Sequence, residues 1–142
     1  MLKVQHIMVV GHYGCGGVLA ALQNRRIGLA DNWIRHVQDV RSKHRSWLEG
    51  MPDETMRLNA LCELNVLEQA RNVCTTTVVL DAWARGQEIV VHGWVYGVHD
   101  GRLRDLAATV TGADEAAART ALEANGWVIR EACSKLPPLP AK

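Results

Sequence analysis

Seven residues near the N-terminus, Gly11-His12-Tyr13-Gly14-Cys15-Gly16-Gly17, constrain the fold more than any other stretch of this chain. They follow a short apolar run, Ile7-Met8-Val9-Val10, and precede a helix-like segment, Val18 to Gln23. An apolar strand that ends in a glycine-rich turn and enters a helix is where α/β proteins place their chemistry. Here the turn carries His12 and Cys15, three residues apart. Both side chains are zinc-competent, and the glycines allow the backbone to aim them at one point. On residues alone, three readings stand. The pair is part of a zinc site; or Cys15 is a thiol nucleophile activated by an imidazole and a helix N-terminus; or the loop binds an anion and the two side chains are incidental. The spacing matches neither the usual dinucleotide loop nor the P-loop.

Global properties narrow the class. At 142 residues the chain suits one domain. A net charge of +1 gives no electrostatic case for nucleic acid or a membrane surface. No apolar run approaches the roughly 20 residues of a membrane span, and the first residues lack a signal-peptide layout. The four cysteines, at 15, 62, 74 and 133, have no disulfide-framework spacing. Reduced thiols or metal ligation, in a cytoplasmic setting, fit better.

Along the chain, Val4 to Val10 reads as a buried parallel strand. A short helix is predicted from about Val18, and 24–30 as a loop. Asp31 or Asn32 is placed to cap the next helix, whose apolar stripe is Trp33, Val37, Val40, His44 and Trp47. Its other face, with Arg35, Arg41, Lys43 and Arg45, reads as solvated, and His44 as a packed histidine. A long helix is predicted from about Glu54 to Val73. It is apolar on two flanks, Leu58/Cys62/Val66/Ala70/Val73 and Ala60/Leu64/Leu67, which predicts cover on both sides. Glu63, Asn65 and Gln69 lie between the flanks and need partners if buried. Cys62 reads as a core thiol. Residues 75–80 are β-like in composition, yet Gly86 reads as a helix C-cap. Glu88 to Val95 is a strong strand, and Leu103 to Val110 its hairpin partner across the turn His99-Asp100-Gly101-Arg102. Asp114 is placed to cap a last helix reaching about Cys133, before a proline-rich tail.

At this level the residues resemble a known family. Val9-Val10-Gly11-His12-Tyr13-Gly14-Cys15-Gly16-Gly17-Val18 is similar to the second zinc motif of the β-class carbonic anhydrases. Leu61-Cys62-Glu63-Leu64-Asn65-Val66-Leu67-Glu68-Gln69 resembles the family's long interface helix. Ala82-Trp83-Ala84-Arg85-Gly86 and His92-Gly93-Trp94-Val95-Tyr96-Gly97-Val98-His99-Asp100-Gly101-Arg102-Leu103 resemble its later helix, strand, turn and strand. The likeness is collinear from about residue 3 to 111.

The resemblance implies an α/β fold: a parallel-sheet core with flanking helices, then a strand hairpin and a helix. It implies a lyase that reversibly hydrates carbon dioxide to bicarbonate, cytoplasmic in bacteria and assembled as a homodimer or tetramer. It implies Zn²⁺ held by two cysteines and a histidine, with a bound water whose pKa is lowered to roughly 7. His12 and Cys15 match two of those ligands. Gly16 matches the position where backbone approaches metal and substrate. Tyr96 resembles the tyrosine of a bicarbonate inhibitory site found in some bacterial members. His92 and His99 read as structural.

The departure is equally specific. Family members carry an earlier Cys-x-Asp-x-Arg motif that supplies the first zinc cysteine and a catalytic Asp–Arg pair. No such motif occurs in these 142 residues, and no cysteine precedes Cys15. The sequence is therefore read as an N-terminally truncated carbonic anhydrase, with residues 1–136 a partial domain and 137–142 a flexible tail. That reading lacks the N-terminal helices and one core strand, and predicts inactivity for the chain alone. Two rivals remain: a non-catalytic relic or interaction module that keeps the dimerisation surfaces, and a thiol-based redox or metal-sensing protein using Cys15.

Overall fold

The computed structural model describes residues 3–117. Among them lie β1 (His6–His12), α1 (Gly16–Leu22), a 3-10 turn (Gly28–Ala30), α2 (Asp31–Lys43), α3 (Arg45–Glu49), α4 (Glu54–Cys74), α5 (Thr77–Ala84), β2 (Val90–Gly97) and β3 (Arg102–Asp105). The sheet order is β1-β2-β3, with β1 parallel to β2 and β3 antiparallel to it. This is the predicted α/β arrangement of a parallel pair, flanking helices and a hairpin.

α4 is the centre of the fold. Asp53 caps it, its carboxylate accepting the Met56 N–H at 2.7 Å. Ala60 to Leu64, Val66, Leu67 and Ala70 are all buried. One side packs on β1 and β2, and the other meets α1, α2 and α3. The two apolar flanks predicted from sequence are thus both covered within this one chain. The contact with the sheet is shaped by Val66. One of its methyls lies 2.5 Å from where a Cβ on Gly11 would sit, and the other 3.5 Å from where a Cβ on Gly93 would sit. The two glycines form a notch across neighbouring strands, and Val66 fills it.

Several boundaries differ from the sequence reading. β1 runs two residues further, to His12, because Gly11 and His12 continue the ladder opposite Val95 and Tyr96. Nor is it buried on both faces: its exposure alternates, with Ile7, Val9 and Gly11 toward α4 and Met8 and Val10 outward. The stripe from Trp33 to Trp47 is not one helix. The backbone breaks at His44 between α2 and α3, and Trp33 is 77% exposed. Asp31 is inside α2 and no side chain caps it; its carboxylate accepts the Ile27 N–H instead. His44 is a packed histidine, with its pKa lowered by burial and by neighbouring Lys43.

The ambiguous stretch after Thr75 is helical, as α5, and Gly86 ends it at φ +74°. β-branched composition loses there to the Thr76 carbonyl, which accepts Leu80 N–H and starts a turn. The partner strand of the hairpin stops at Asp105. Ala107 at φ 54° breaks the ladder, and only a single bridge, Val91 to Val110, continues it. The last helix starts at 113, one residue before the predicted cap, while the Glu115 carboxylate accepts both N–H and O–H of Thr111. The stretch to Cys133 and the tail 137–142 lie outside the described residues.

The sheet face opposite α4 is open among the described residues. It carries His6, Met8, Val10 and His12 from β1, Trp94 and Tyr96 from β2, and Leu103 from β3. Met8, Val10 and Leu103 are about half exposed, at 58%, 48% and 54%. Parallel sheets are ordinarily covered on both faces.

A methyl group at Gly11 has to displace Val66. Gly11→Ala is expected to lower the unfolding free energy by about 1–3 kcal/mol, and adding Val66→Ala should return part of that loss. Urea denaturation of both variants checks it; an unchanged midpoint for Gly11→Ala would refute the notch.

Candidate metal centre

The Gly11–Gly17 loop sits at the C-terminal end of β1, above α4. His12, the last residue of the strand, is exposed. Its Nδ1 lies 3.0 Å from the Tyr13 carbonyl oxygen. A carbonyl only accepts, so Nδ1 carries the proton, and the Nε2 lone pair of the neutral ring is left free. That is the tautomer a metal-ligating histidine adopts when its second nitrogen is anchored.

Gly14, at φ +70°, then reverses the chain. Cys15 follows as the N-cap of α1, half-buried, with its carbonyl accepting Leu19 N–H and its side chain capping nothing. Gly17 leaves space beside it: a Cβ there would lie 3.8 Å from Cys15 Sγ and 3.2 Å from Ile34 Cδ1. Nothing stands within 4 Å of a Cβ built on Gly16, so that position is open.

Tyr13 holds the loop down. It is buried, its N–H donates to the Tyr96 carbonyl at 3.1 Å, and its hydroxyl donates to Glu63 Oε1 at 2.6 Å. Glu63 thus finds the partner that its buried place on α4 demands, and Asn65 accepts from Gln69 at 3.3 Å. The Arg104 guanidinium lies 5.7 Å from the Tyr13 ring centre and donates to Asp100 at 2.5 Å. Arg104, and then the Arg102 N–H, hold the Asp100 carboxyl below its usual range.

Cys62 lies beneath the loop. Its thiol receives the backbone N–H groups of Cys15 and Gly14, yet burial dominates and pushes its pKa up to about 11. Tyr96 is the register partner of His12, so both side chains leave the same face of the sheet. It is 39% exposed, and its hydroxyl lies 3.9 Å from where a Cβ on Gly101 would sit. His92 is at the other end of that face, 3.1 Å from His6 and stacked with it. His99 is exposed in the hairpin turn.

The structure therefore brings His12, Cys15, Gly16 and Tyr96 to one end of the sheet. The imidazole and thiol suit zinc, but they are two donors. No group of three or more His, Cys, Asp or Glu placed to hold a metal occurs among the described residues. A catalytic zinc centre needs three protein ligands, so the residues present do not complete one. Sequence reasoning missed the Tyr13–Glu63 bond and the position of Cys62. The one available signal was a buried acid beside a buried cysteine on α4.

A parallel α/β core with a glycine-rich turn carrying His12 and Cys15 at a strand's C-terminal end is the arrangement in which α/β proteins place their chemistry. The family model described as carbonic anhydrase matches residues 1–103. A carbonic anhydrase of Emericella nidulans is 45% identical over 105 residues, covering 74% of this chain and 46% of that protein. One from Candida albicans is 33% identical over 111 residues, covering 75% and 38%. Among solved structures, a Coccomyxa β-carbonic anhydrase in complex with acetazolamide superposes with a TM-score of 0.77 at 39% identity, covering 82% of this chain and 53% of that one. A tetrameric β-carbonic anhydrase of Sordaria macrospora gives 0.69 at 33%, covering 77% and 55%. The chain belongs to the β-class carbonic anhydrase family. It spans roughly half the length of the curated relatives it matches. No helix among the described residues is long and apolar enough to cross a membrane.

Two outcomes follow from this geometry. Tyr13→Phe removes a hydrogen bond to a buried carboxylate and should cost about 1.5–3 kcal/mol by urea denaturation. A cost under a few tenths would contradict it. The raised Cys62 pKa also carries a sign. The unfolded thiol ionises near its ordinary 9.0 and the folded one near 11, so this contribution is intact below the first value and is lost as pH rises through the second. Stability should fall across that window in the wild type and fall less in Cys62→Ala.

Proposed function

We propose that this chain supplies the His–Cys half of a zinc-dependent centre for the reversible hydration of carbon dioxide to bicarbonate. The observation that carries the reading is the loop itself. His12 has its Nδ1 proton anchored on a carbonyl and its Nε2 free, and Cys15 follows three positions on in the same loop, with a side chain that caps nothing. Family membership makes carbonate dehydratase the corresponding activity. The remaining thiolate ligand and the Asp–Arg pair belong to a segment bearing Cys-x-Asp-x-Arg, a motif absent from this sequence. The edge of β1 and the open apolar face beside it offer such a segment a place to pack. Zinc is the cofactor of this reading, and Gly16 and Tyr96 line the approach on the bicarbonate side. A homo-oligomer fits it, in keeping with the tetramers described for Sordaria macrospora.

The two-donor set favours a second reading, in which the chain alone is a non-catalytic module retaining the family's helix and hairpin surfaces. One experiment separates them. Zinc content and carbon dioxide hydration are measured on the 142-residue chain, alone and joined to an upstream segment carrying Cys-x-Asp-x-Arg. The chain alone is expected to be zinc-poor and inactive. The joined protein should bind one zinc and turn over, and His12→Ala or Cys15→Ser should abolish both properties. Stoichiometric zinc on the short chain would overturn the ligand assignment, and an inactive but folded joined protein would leave the module reading.

A further inference from the structure

We propose that Cys15 and Cys62 form a peroxide-responsive dithiol, closing to an intramolecular disulfide that withdraws Cys15 from metal binding. Three observations bring the loop that carries Cys15 down onto the part of α4 that carries Cys62. The Tyr13 hydroxyl, two residues before Cys15, is bonded at 2.6 Å to Glu63, the residue after Cys62. Gly11, at the base of the loop, faces the Cys62 carbonyl oxygen, 3.8 Å from where a Cβ would sit. The backbone N–H groups of Gly14 and Cys15 point to the Cys62 thiol, and Cys15 packs on the core cluster that contains Cys62.

Access differs between the two. Cys62 is 2% exposed, whereas Cys15 is half-buried at the loop surface, so an oxidant reaches Cys15 first. Both thiols are free in the structure. Cys74 is no competitor: it lies twelve positions along α4, roughly 18 Å away at 1.5 Å per residue, in the other buried cluster.

The chemistry balances with hydrogen peroxide as the oxidant. The Cys15 sulfur attacks one peroxide oxygen, the O–O bond breaks, and the departing hydroxide takes a proton as water. This leaves Cys15 as a sulfenic acid. The Cys62 sulfur then attacks the Cys15 sulfur, the S–O bond breaks, and the thiol proton leaves with the hydroxyl as a second water. Two thiols have lost two electrons in all, and one peroxide has become two waters. The buried sulfur thereby traps Cys15 before it reaches the irreversible sulfinic state. The effect on metal rests on the reading of Cys15 as a ligand, but the dithiol does not.

The test treats the reduced 142-residue chain with two equivalents of hydrogen peroxide, enough to carry an untrapped thiol to sulfinic acid, then alkylates free thiols and maps peptides by mass spectrometry. Expected is the loss of two free thiols per chain, a Cys15–Cys62 linked peptide in a monomeric product, and recovery with dithiothreitol. In Cys62→Ala and Cys62→Ser the trap is gone, and Cys15 should gain two oxygens as sulfinic acid. Wild-type Cys15 converted to sulfinic acid while Cys62 is still alkylated would overturn the proposal. So would a bond from Cys15 to Cys74 or Cys133, or between chains. Cadmium(II) is the metal probe. A thiolate-to-cadmium absorption band in the reduced chain, lost on oxidation, supports the link to metal binding. A linked peptide without any such band leaves the dithiol standing and removes the ligand reading of Cys15.

Discussion

The seat of Val66 between Gly11 and Gly93 sets the geometry on which the rest of this molecule depends. Two adjacent strands lack side chains where α4 crosses them, so the helix backbone comes close to the sheet. That approach places Cys62 and Glu63 directly under the loop that follows β1. Glu63 can then accept from Tyr13, and Tyr13 in turn holds down the loop that carries His12 and Cys15. A helix held further out would leave the loop unanchored. Packing density and site geometry are here one constraint, because interiors pack like crystals and transmit small displacements.

The same closeness assigns opposite characters to two thiols in one small region. Cys15 is half-buried in the loop, three positions after His12. Cys62 lies in the core, where loss of hydration disfavours its charged form. The candidate donors therefore lie in the loop, while α4 contributes support from below. The sheet's opposite face presents Met8, Val10, Trp94 and Leu103 without cover among the described residues, and His12 and Tyr96 stand at one end of that face.

Much of this was legible in the chain. The glycine turn after an apolar strand, the long helix with two apolar flanks, and the hairpin at His99 to Arg102 all follow from periodicity and turn chemistry. His12 and Cys15 were visible as neighbours because only Tyr13 and Gly14 of a tight turn separate them. Element ends were less legible. β1 continues through Gly11 and His12 because β2 supplies partners that no local signal announces. The second strand of the hairpin stops early because Ala107 adopts a positive φ that its type does not advertise. Trp33 occupies an apolar stripe by spacing yet faces outward, since the helix breaks at His44 and the stripe never forms one surface.

The sequence by itself determined the fold class and the family and singled out His12 and Cys15 as candidate donors, for a common physical reason: each is written in contacts or spacings between near neighbours. The tertiary structure alone decided that Tyr13 bonds to Glu63 across fifty positions of chain and that Cys62 sits beneath Cys15. It alone decided that one face of the sheet stays open. Those depend on how closely α4 approaches the strands, a distance set by the absence of two side chains and the presence of one valine, and no local pattern encodes it.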